Sequence, residues 1–209
     1  MTRYGMAIDV RRCMGCNACT VACKVANDVP EGVFWTRVLT RGGDAPDAPA
    51  GENPAVSMSY YTLGCQHCEN PACVKVCPVG ATYRDEATGI VRQDYDKCIG
   101  CRMCMSACPY TDTGVRSFNW EEPGYAMDFA LGDADIAPHQ KHVVEKCTFC
   151  YQRIARGETP ACMDLCPARA RFWGDLDDPE SEVSQAIKGR EYQHLLPEQG
   201  TSPSVYYLV

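Results

Sequence analysis

Short apolar and β-branched runs mark the candidate elements of this chain of 209 residues. Residues 81–84 and 90–93 are rich in β-forming side chains, and they flank the turn sequence Glu-Ala-Thr-Gly at 86–89. This pattern predicts a β-hairpin. The apolar run at residues 6–10 predicts a leading strand, and the run at 170–173 predicts the strand that pairs with it.

Polar and turn-forming residues fill the intervals between these runs. Residues 41–54 are rich in Gly, Pro, Ala and Asp, which predicts a surface loop. Residues 121–139 are acidic and irregular, and we expect a second loop there. From residue 175 to residue 209 we expect a tail, with one short amphipathic helix at 181–188.

The candidate chemistry of the chain lies in its sixteen cysteines, which fall into four groups of four. The third group reads C-x2-C-x2-C-x3-C-P, the run that holds cubane iron–sulfur clusters in bacterial ferredoxins. At four thiolates per cubane, the cysteines predict four [4Fe–4S] clusters with none left over. The groups are Cys13, Cys16, Cys19, Cys23; Cys65, Cys68, Cys73, Cys77; Cys98, Cys101, Cys104, Cys108; and Cys147, Cys150, Cys162, Cys166.

Two other uses of cysteine fit this spacing poorly. A zinc site uses two pairs of ligands separated by a long spacer, whereas here three cysteines crowd into seven residues. Cysteines two residues apart are poor disulfide partners, and no secretory signal precedes them. Gly15 and Gly100 support the cluster interpretation, because glycine lets backbone N–H groups approach cluster sulfurs.

The cysteine groups repeat in alternation. The first and third groups each have an aspartate four residues before the first cysteine, Asp9 and Asp94, and a basic residue directly before it. The second and fourth groups share a Pro-Ala-Cys-x3-Cys-Pro sequence. Because groups two and three are close in sequence, they predict one two-cluster unit, and groups one and four must pair around it.

The predicted fold class is therefore α+β. It consists of two nested bacterial-ferredoxin-like two-cluster units related by internal pseudo-symmetry, with loop insertions and a C-terminal tail. We expect an outer unit at 1–30 plus 140–175, an inserted unit at 60–115, connecting insertions at 31–59 and 116–139, and the tail at 176–209.

Charge and hydropathy exclude several classes of partner. The formal net charge is −7 before any thiolate or cluster is counted, and thiolate-held clusters add negative charge. We therefore expect no nucleic acid as a partner. No apolar stretch approaches the roughly 18 residues of a membrane-spanning helix, so no direct membrane span is expected.

The cysteine motifs and their surroundings resemble the iron–sulfur (beta, electron-transfer) subunit of dimethyl sulfoxide reductase-type molybdopterin oxidoreductase complexes. The resemblance covers nearly the whole chain. It is specific for the family but not for any one member. It is carried by the sequences at 65–78, 96–110, 146–151, 159–167 and 172–179.

The resemblance implies a catalytic partner subunit that carries a molybdopterin centre of molybdenum or tungsten. In many members it also implies a membrane subunit that exchanges electrons with quinol. No signal peptide of its own is expected, so the chain would be cytoplasmic or membrane-associated, or exported folded with its catalytic partner.

The resemblance also implies which cysteines share a cluster. Cluster 1 would face the catalytic subunit, and cluster 4 would face the quinol side. The implied ligand sets are Cys13, Cys16, Cys19, Cys166 (cluster 1); Cys23, Cys147, Cys150, Cys162 (cluster 2); Cys65, Cys68, Cys73, Cys108 (cluster 3); and Cys77, Cys98, Cys101, Cys104 (cluster 4).

Residues beside the cysteines carry further expectations. His67 is expected next to a cluster or at the surface, because four cysteines already fill its group. Positions at or near a buried interface with the catalytic partner are expected for Arg11, Arg12, Met14, Asn17 and residues 168–171. Basic residues that would screen cluster charge are Arg12, Lys24, Lys75, Lys97, Arg102 and Lys146.

The predicted function is electron transfer between a quinol, membrane or soluble donor and the molybdopterin subunit. No catalytic residue is predicted in this chain, because no dinucleotide loop or nucleophile–base pair is recognisable. No cofactor site is predicted beyond the cluster ligands. One alternative is a free-standing polyferredoxin that shuttles electrons between soluble enzymes. Another is a metal-stabilised scaffold without redox work.

Overall fold

The computed structural model describes residues 2–42, 47–125 and 127–209. Residues 43–46 of the predicted loop at 41–54 lie outside the described residues, as do Met1 of the outer unit and Ala126 of the second insertion.

The elements are short, as expected of a chain whose turns are set by cysteine motifs. The strands are β1 (Tyr4–Asp9), β2 (Thr36–Thr40), β3 (Tyr60–Gly64), β4 (Thr82–Arg84), β5 (Val91–Gln93), β6 (Arg116–Phe118), β7 (Val144–Lys146), β8 (Arg171–Asp175), β9 (Tyr192–Gln193) and β10 (Val205–Leu208). The helices are α1 (Ala18–Ala26), α2 (Ala72–Lys75), α3 (Met103–Ser106), α4 (Tyr151–Ala155), α5 (Ala161–Asp164) and α6 (Glu182–Ile187).

A four-stranded sheet of order β8-β1-β10-β9 holds the two ends of the chain together. β1 pairs antiparallel with β8, with Met6 opposite Trp173, so the predicted pairing of these two runs is confirmed. On its other side β1 pairs parallel with β10, with Met6 opposite Val205. Side chains alternate between the two faces of a strand, so each face of this sheet has its own packing partner.

One face of the sheet packs towards the cysteines, and the other packs against α6. Met6, Ile8 and Tyr207 belong to the main core, which also contains Cys19 and Cys162. On the opposite face, Ala7 and Leu208 pack with Val183 of α6. The predicted helix at 181–188 is confirmed, and Ser181 caps it by accepting a hydrogen bond from the N–H of Ser184 at 3.2 Å.

The C-terminal segment differs from the predicted tail. β10 lies inside the sheet, and Tyr207 and Leu208 are fully buried. The four apolar residues of β10 carry no turn signal or long alternation that would indicate a central strand. They become a central strand because β1, which pairs with β8 on one side, has an unpaired edge on its other side, where β10 binds.

Three two-stranded ribbons surround the cysteine groups. The β4–β5 ribbon confirms the predicted hairpin, with Tyr83 opposite Arg92. The β2–β3 and β6–β7 ribbons were not predicted, because each joins a connecting insertion to a segment outside it. The described residues between β6 and β7 form no helix or strand, in agreement with the predicted loop at 121–139.

Within the three described ranges, no helix is both long enough and apolar enough to cross a bilayer.

Replacing Tyr207 with Phe should destabilise the protein. The Tyr207 hydroxyl donates to the Thr62 carbonyl at 3.0 Å and accepts from Gln66 Nε2 at 3.4 Å. Loss of the hydroxyl removes the hydrogen bond to the buried Thr62 carbonyl, which costs roughly 1–3 kcal/mol, whereas Gln66 Nε2 keeps its hydrogen bond to the Gly64 carbonyl. The measurement is the urea concentration at which half of the visible cluster absorbance is lost. Tyr192→Phe on exposed β9 is the matched control, and equal midpoints for the two variants would contradict the prediction.

Candidate metal centres

Two loops with the same local geometry present the first and third cysteine groups. Asp9 Oδ1 accepts hydrogen bonds from the N–H groups of Arg11 and Arg12 at 3.0 and 3.1 Å. Asp94 Oδ1 accepts in the same way from Asp96 and Lys97 at 3.1 and 3.2 Å. The aspartate that recurs four residues before the first cysteine therefore bends the chain into the cysteine loop.

The positive backbone angles of these loops also match. Gly15 and Gly100 have φ of 71° and 67°, and Asn17 and Arg102 each have φ of 59°. The glycines are also required for space: a Cβ on Gly100 would lie 2.5 Å from the carbonyl oxygen of His142. Two left-handed residues in seven give a tight loop whose three cysteines point to one side.

The second and fourth groups share another local structure. Helices α2 and α5 each start directly after a proline and contain the third cysteine of the group, Cys73 or Cys162. The fourth cysteine of each group accepts a hydrogen bond of 3.4 Å from a backbone N–H, that of Thr82 for Cys77 and that of Ala170 for Cys166. The contact from Thr82 helps to lower the pKa of Cys77 against the opposing effect of burial.

Two cavities collect cysteines from distant parts of the chain. The first, here called the Cys13 cavity, contains the four cysteines predicted for cluster 1. The second, the Cys23 cavity, contains the four predicted for cluster 2, with Cys65 also in its wall. Burial raises the pKa of Cys23 well above its ordinary value, and Cys147, Cys150 and Cys162 lie close enough to raise it further.

The cysteines predicted for clusters 3 and 4 also come together. Burial raises the pKa of Cys68 to about 12, with added contributions from Cys65, Cys73 and Cys108. Burial likewise raises the pKa of Cys104, and the thiols of Cys98 and Cys77 act in the same direction. Cys101 lies on the same loop as Cys98 and Cys104 and is exposed.

These constellations fit iron–sulfur clusters. Thiols are the ligands that such clusters prefer, and binding to iron removes the proton that burial would otherwise retain. Asn27 Nδ2 donates towards two sulfurs of the Cys23 cavity, Cys23 Sγ at 3.8 Å and Cys150 Sγ at 3.6 Å. Among the described residues, no three His, Cys, Asp or Glu side chains form a group that would hold a single metal ion.

His67 and Phe149 join the second cysteine group to the fourth. Each is the third residue of a Cys-x-x-Cys sequence, and their rings stack with centroids 3.6 Å apart. His67 is fully buried, so it lies beside the cysteines and not at the surface. Its pKa lies well below the ordinary value because burial, and then the cations of Lys146 and Arg116, oppose protonation.

Basic residues next to cysteines in sequence differ in their burial and in their partners. Lys97 pairs with Asp94 at 2.9 Å in an exposed position, and Lys24 donates to the Pro30 and Val33 carbonyls. Lys146, in contrast to Lys97, is buried: it is 2% exposed and donates to the Cys147 carbonyl at 2.9 Å.

Two buried arginines near the thiols were missed as partners of the clusters. Arg116 and Arg171 are 4% and 7% exposed. Ala170 and Arg171 are thus buried within the chain itself, and a position at or near the interface with the catalytic subunit stays a prediction for them. An arginine in an apolar strand downstream of a Cys-Pro pair, as in Arg171-Phe-Trp, is the sequence signal that would have indicated this.

Comparison with protein families and known proteins agrees with the cluster interpretation. A family model described as a 4Fe-4S dicluster domain matches residues 56–122 and 134–176, and a second with the same description matches 97–152. A 4Fe-4S binding domain matches residues 12–26. The chain therefore binds [4Fe–4S] clusters.

Similar proteins cover almost the whole chain. A Halobacterium salinarum protein, provisionally named as a dimethyl sulfoxide reductase iron–sulfur subunit, is 52% identical over 100% of this chain and 79% of its own length. The arsenate respiratory reductase iron–sulfur subunit of Shewanella sp. (strain ANA-3) is 39% identical over 99% of this chain and 96% of its own length. A selenate reductase subunit of Mesobacillus selenatarsenatis is also 39% identical, over 97% and 70%.

Replacing Gly100 with Ala should remove the cluster held by its loop and leave the others. The substituted residue must adopt positive φ and also meet the His142 carbonyl oxygen. Gly80→Ala is the matched control, because Gly80 has φ of 66° but a Cβ there meets nothing within 4 Å. Iron analysis should find about four fewer irons per chain in Gly100→Ala than in Gly80→Ala. Equal iron contents would contradict the steric explanation.

Proposed function

We propose that this chain, which belongs to the family of iron–sulfur subunits of molybdopterin oxidoreductases, carries four [4Fe–4S] clusters and relays electrons to or from a molybdopterin catalytic subunit. The donor or acceptor at the other end is a quinol-linked membrane subunit or a soluble protein. The chain itself supplies the conducting path, and the substrate site belongs to the catalytic partner.

The observation that carries this proposal is the order in which the thiol constellations adjoin one another. Arg171 lines both the Cys13 cavity and the Cys23 cavity. Cys65 lies in the wall of the Cys23 cavity and is close enough to Cys147 to raise its pKa. Arg116 faces cysteines of the two remaining constellations. The contacts thus support a linear path from cluster 1 through clusters 2 and 3 to cluster 4.

We propose the interleaved ligand sets for these clusters as the family resemblance implies them. In each set, at least one cysteine comes from a different group from the other three. The Cys13 cavity supports this pattern, because Cys166 joins three cysteines from the start of the chain. The Cys23 cavity supports it as well, because Cys23 joins three cysteines of the fourth group.

The nested arrangement of two ferredoxin-like units remains part of the proposal, with the outer unit at 1–30 plus 140–175 and the inner unit at 60–115. The shared hydrogen bonds at Asp9 and Asp94 support a repeat, as do those at Cys77 and Cys166. The β1–β8 pair and the β4–β5 ribbon would then be equivalent, one in each unit.

Exposed apolar side chains support a contact surface at each end of the path. Met14 and Leu165, beside cysteines of cluster 1, are 58% and 61% exposed. Ile99 and Met103, beside cysteines of cluster 4, are 63% and 48% exposed. We propose that the catalytic subunit covers the first pair and the electron-exchanging partner covers the second, and that the compartment of the chain is that of these partners.

A free-standing polyferredoxin is not favoured, because the similar proteins are named as subunits of reductases or dehydrogenases. Their names include reductases of arsenate, selenate and tetrathionate and a sulfite dehydrogenase. The substrate and the direction of electron flow therefore vary within the family.

Metal analysis tests the cofactor content. Anaerobically purified chain should contain about sixteen irons and about sixteen acid-labile sulfides, four of each per cluster. Its visible absorbance should bleach reversibly with dithionite. Zinc in place of iron, or fewer than about twelve irons in fully reconstituted protein, would contradict four clusters.

Charge reversal at Arg11 tests the orientation of the chain in its complex. Arg11 is exposed beside the cluster 1 loop, so Arg11→Glu should weaken binding of the catalytic subunit by about tenfold, roughly 1.4 kcal/mol. The dissociation constant can be measured by titration of the purified subunits.

Lys97→Glu is the matched control for this titration. Lys97 is, like Arg11, a surface cation within two residues of the first cysteine of its group, but it lies on the cluster 4 loop. Binding should therefore be unchanged in this variant. An unaltered affinity of Arg11→Glu, or an equal loss in both variants, would show that cluster 1 does not face the catalytic subunit.

A further inference from the structure

We propose that Arg116 and Arg171 are the fixed positive charges of the electron path, each shared by two neighbouring clusters whose reduction potentials it raises. The inference rests on the proposed function. It assigns Arg171 to clusters 1 and 2, and Arg116 to clusters 3 and 4. Both are positioning residues: they bind no iron but set how readily the clusters accept an electron.

Arg171 lies between the first two constellations. It opens β8 and lines both the Cys13 cavity and the Cys23 cavity. Its Nη1 atom donates to Cys162 Sγ at 3.5 Å and to Met6 Sδ at 3.0 Å. Cys19, which lines the Cys13 cavity with Arg171, also faces the guanidinium group. One guanidinium group therefore contacts sulfurs that are assigned to two different clusters.

Arg116 has the same relation to the other two constellations. It opens β6, and the titratable groups that face it include Cys65, Cys73 and Cys108 of cluster 3 and Cys104 of cluster 4. Its Nη1 atom is buried without a hydrogen-bond partner among the described residues. A buried guanidinium N–H in this position is costly unless an anion faces it. The sulfurs of a bound cluster would supply that anion.

Cysteines are the main acidic groups that face both arginines, joined for Arg171 by the Tyr207 hydroxyl. As thiolates of bound clusters, these cysteines would supply the counter-charge. The carboxylates of the described ion pairs contact other cations instead, such as Arg153, Arg156 and Arg190. The positive charge of each buried arginine is therefore available to the clusters.

The effect on electron transfer follows from charge. One-electron reduction of a [4Fe–4S] cluster by the donor adds one negative charge to an already anionic group, and a nearby buried cation favours that state. A cation that faces both clusters of a pair stabilises the electron on either one. It therefore raises both potentials without trapping the electron on one cluster.

Burial distinguishes these arginines from an exposed basic residue adjacent to a cysteine in sequence, such as Lys97. Lys97 directly precedes Cys98, but its side chain is 64% exposed and pairs with Asp94. Water and salt screen such a charge, so it contributes little to a cluster potential. An exposed sequence neighbour of a ligand is thus a weaker influence than a buried arginine that is not adjacent to any ligand in sequence.

The test is a potentiometric titration of the complete complex, in which electron paramagnetic resonance follows each cluster. In Arg116→Gln, the ratio of reduced to oxidised clusters 3 and 4 at a given potential should fall about tenfold, which corresponds to about 59 mV for a one-electron couple. Clusters 1 and 2 should be unchanged. In Arg171→Gln, the same ratio should fall about tenfold for clusters 1 and 2, and clusters 3 and 4 should be unchanged.

Three further variants separate charge from packing. Arg116→Lys and Arg171→Lys keep the charge, and their ratios should stay within about threefold of the unmodified protein. Lys97→Gln removes an exposed charge next to a ligand and should also stay within that range. If a glutamine variant does not load its clusters, the lysine variant at the same site is the test. Cluster loading in the lysine variant supports the role of charge, and failure to load contradicts it.

The inference is overturned by any of three results. The first is unchanged potentials in glutamine variants with full iron content. The second is a lysine variant that shifts as far as the glutamine variant or also fails to load. The third is an equal shift of all four clusters. Iron content of the unmodified chain separates this from the proposed function: too little iron removes that function, whereas unchanged potentials in loaded variants remove only the role of the arginines.

Discussion

The convergence of cysteines from distant segments on shared cavities is the constraint on which the rest of this structure depends. The Cys13 cavity and the Cys23 cavity are each lined by cysteines from more than one segment, so the chain turns sharply and its elements stay short. Asp9 and Asp94 bend the chain before the cysteine loops, and left-handed residues at Gly15 and Gly100 close them. Bound clusters would replace much of the apolar core that a chain of this length otherwise needs.

Charge balance is the second consequence of the same constraint. Thiolates and clusters place negative charge in the interior, where an unpaired charge is costly. Three buried cations balance this negative charge, and they are Arg116, Lys146 and Arg171. Their arrangement links electrostatics to electron transfer, since a charge that stabilises the folded loaded protein also stabilises the reduced state of the clusters.

The two halves of the path are joined by packing as well as by charge. His67 stacks on Phe149, and Phe149 meets Trp173 edge to face at 4.8 Å. This aromatic contact connects the second and fourth cysteine groups with the sheet built from β1, β8 and β10. The sheet in turn holds the first and last strands of the chain together, so a rigid frame surrounds the proposed middle of the path.

The sequence by itself determined what depends on local spacing: the cysteine groups and their cofactor type, the β4–β5 hairpin, the β1–β8 pair and the helix capped by Ser181. The family resemblance added the ligand sets, which remain a proposal. Only the tertiary structure decided the central position of β10, the β2–β3 and β6–β7 ribbons and the inward direction of Arg116 and Arg171. These features depend on partners from distant segments. Four apolar residues take a central position only where a sheet edge is open, and an arginine becomes buried only where the fold has gathered anionic groups to meet it.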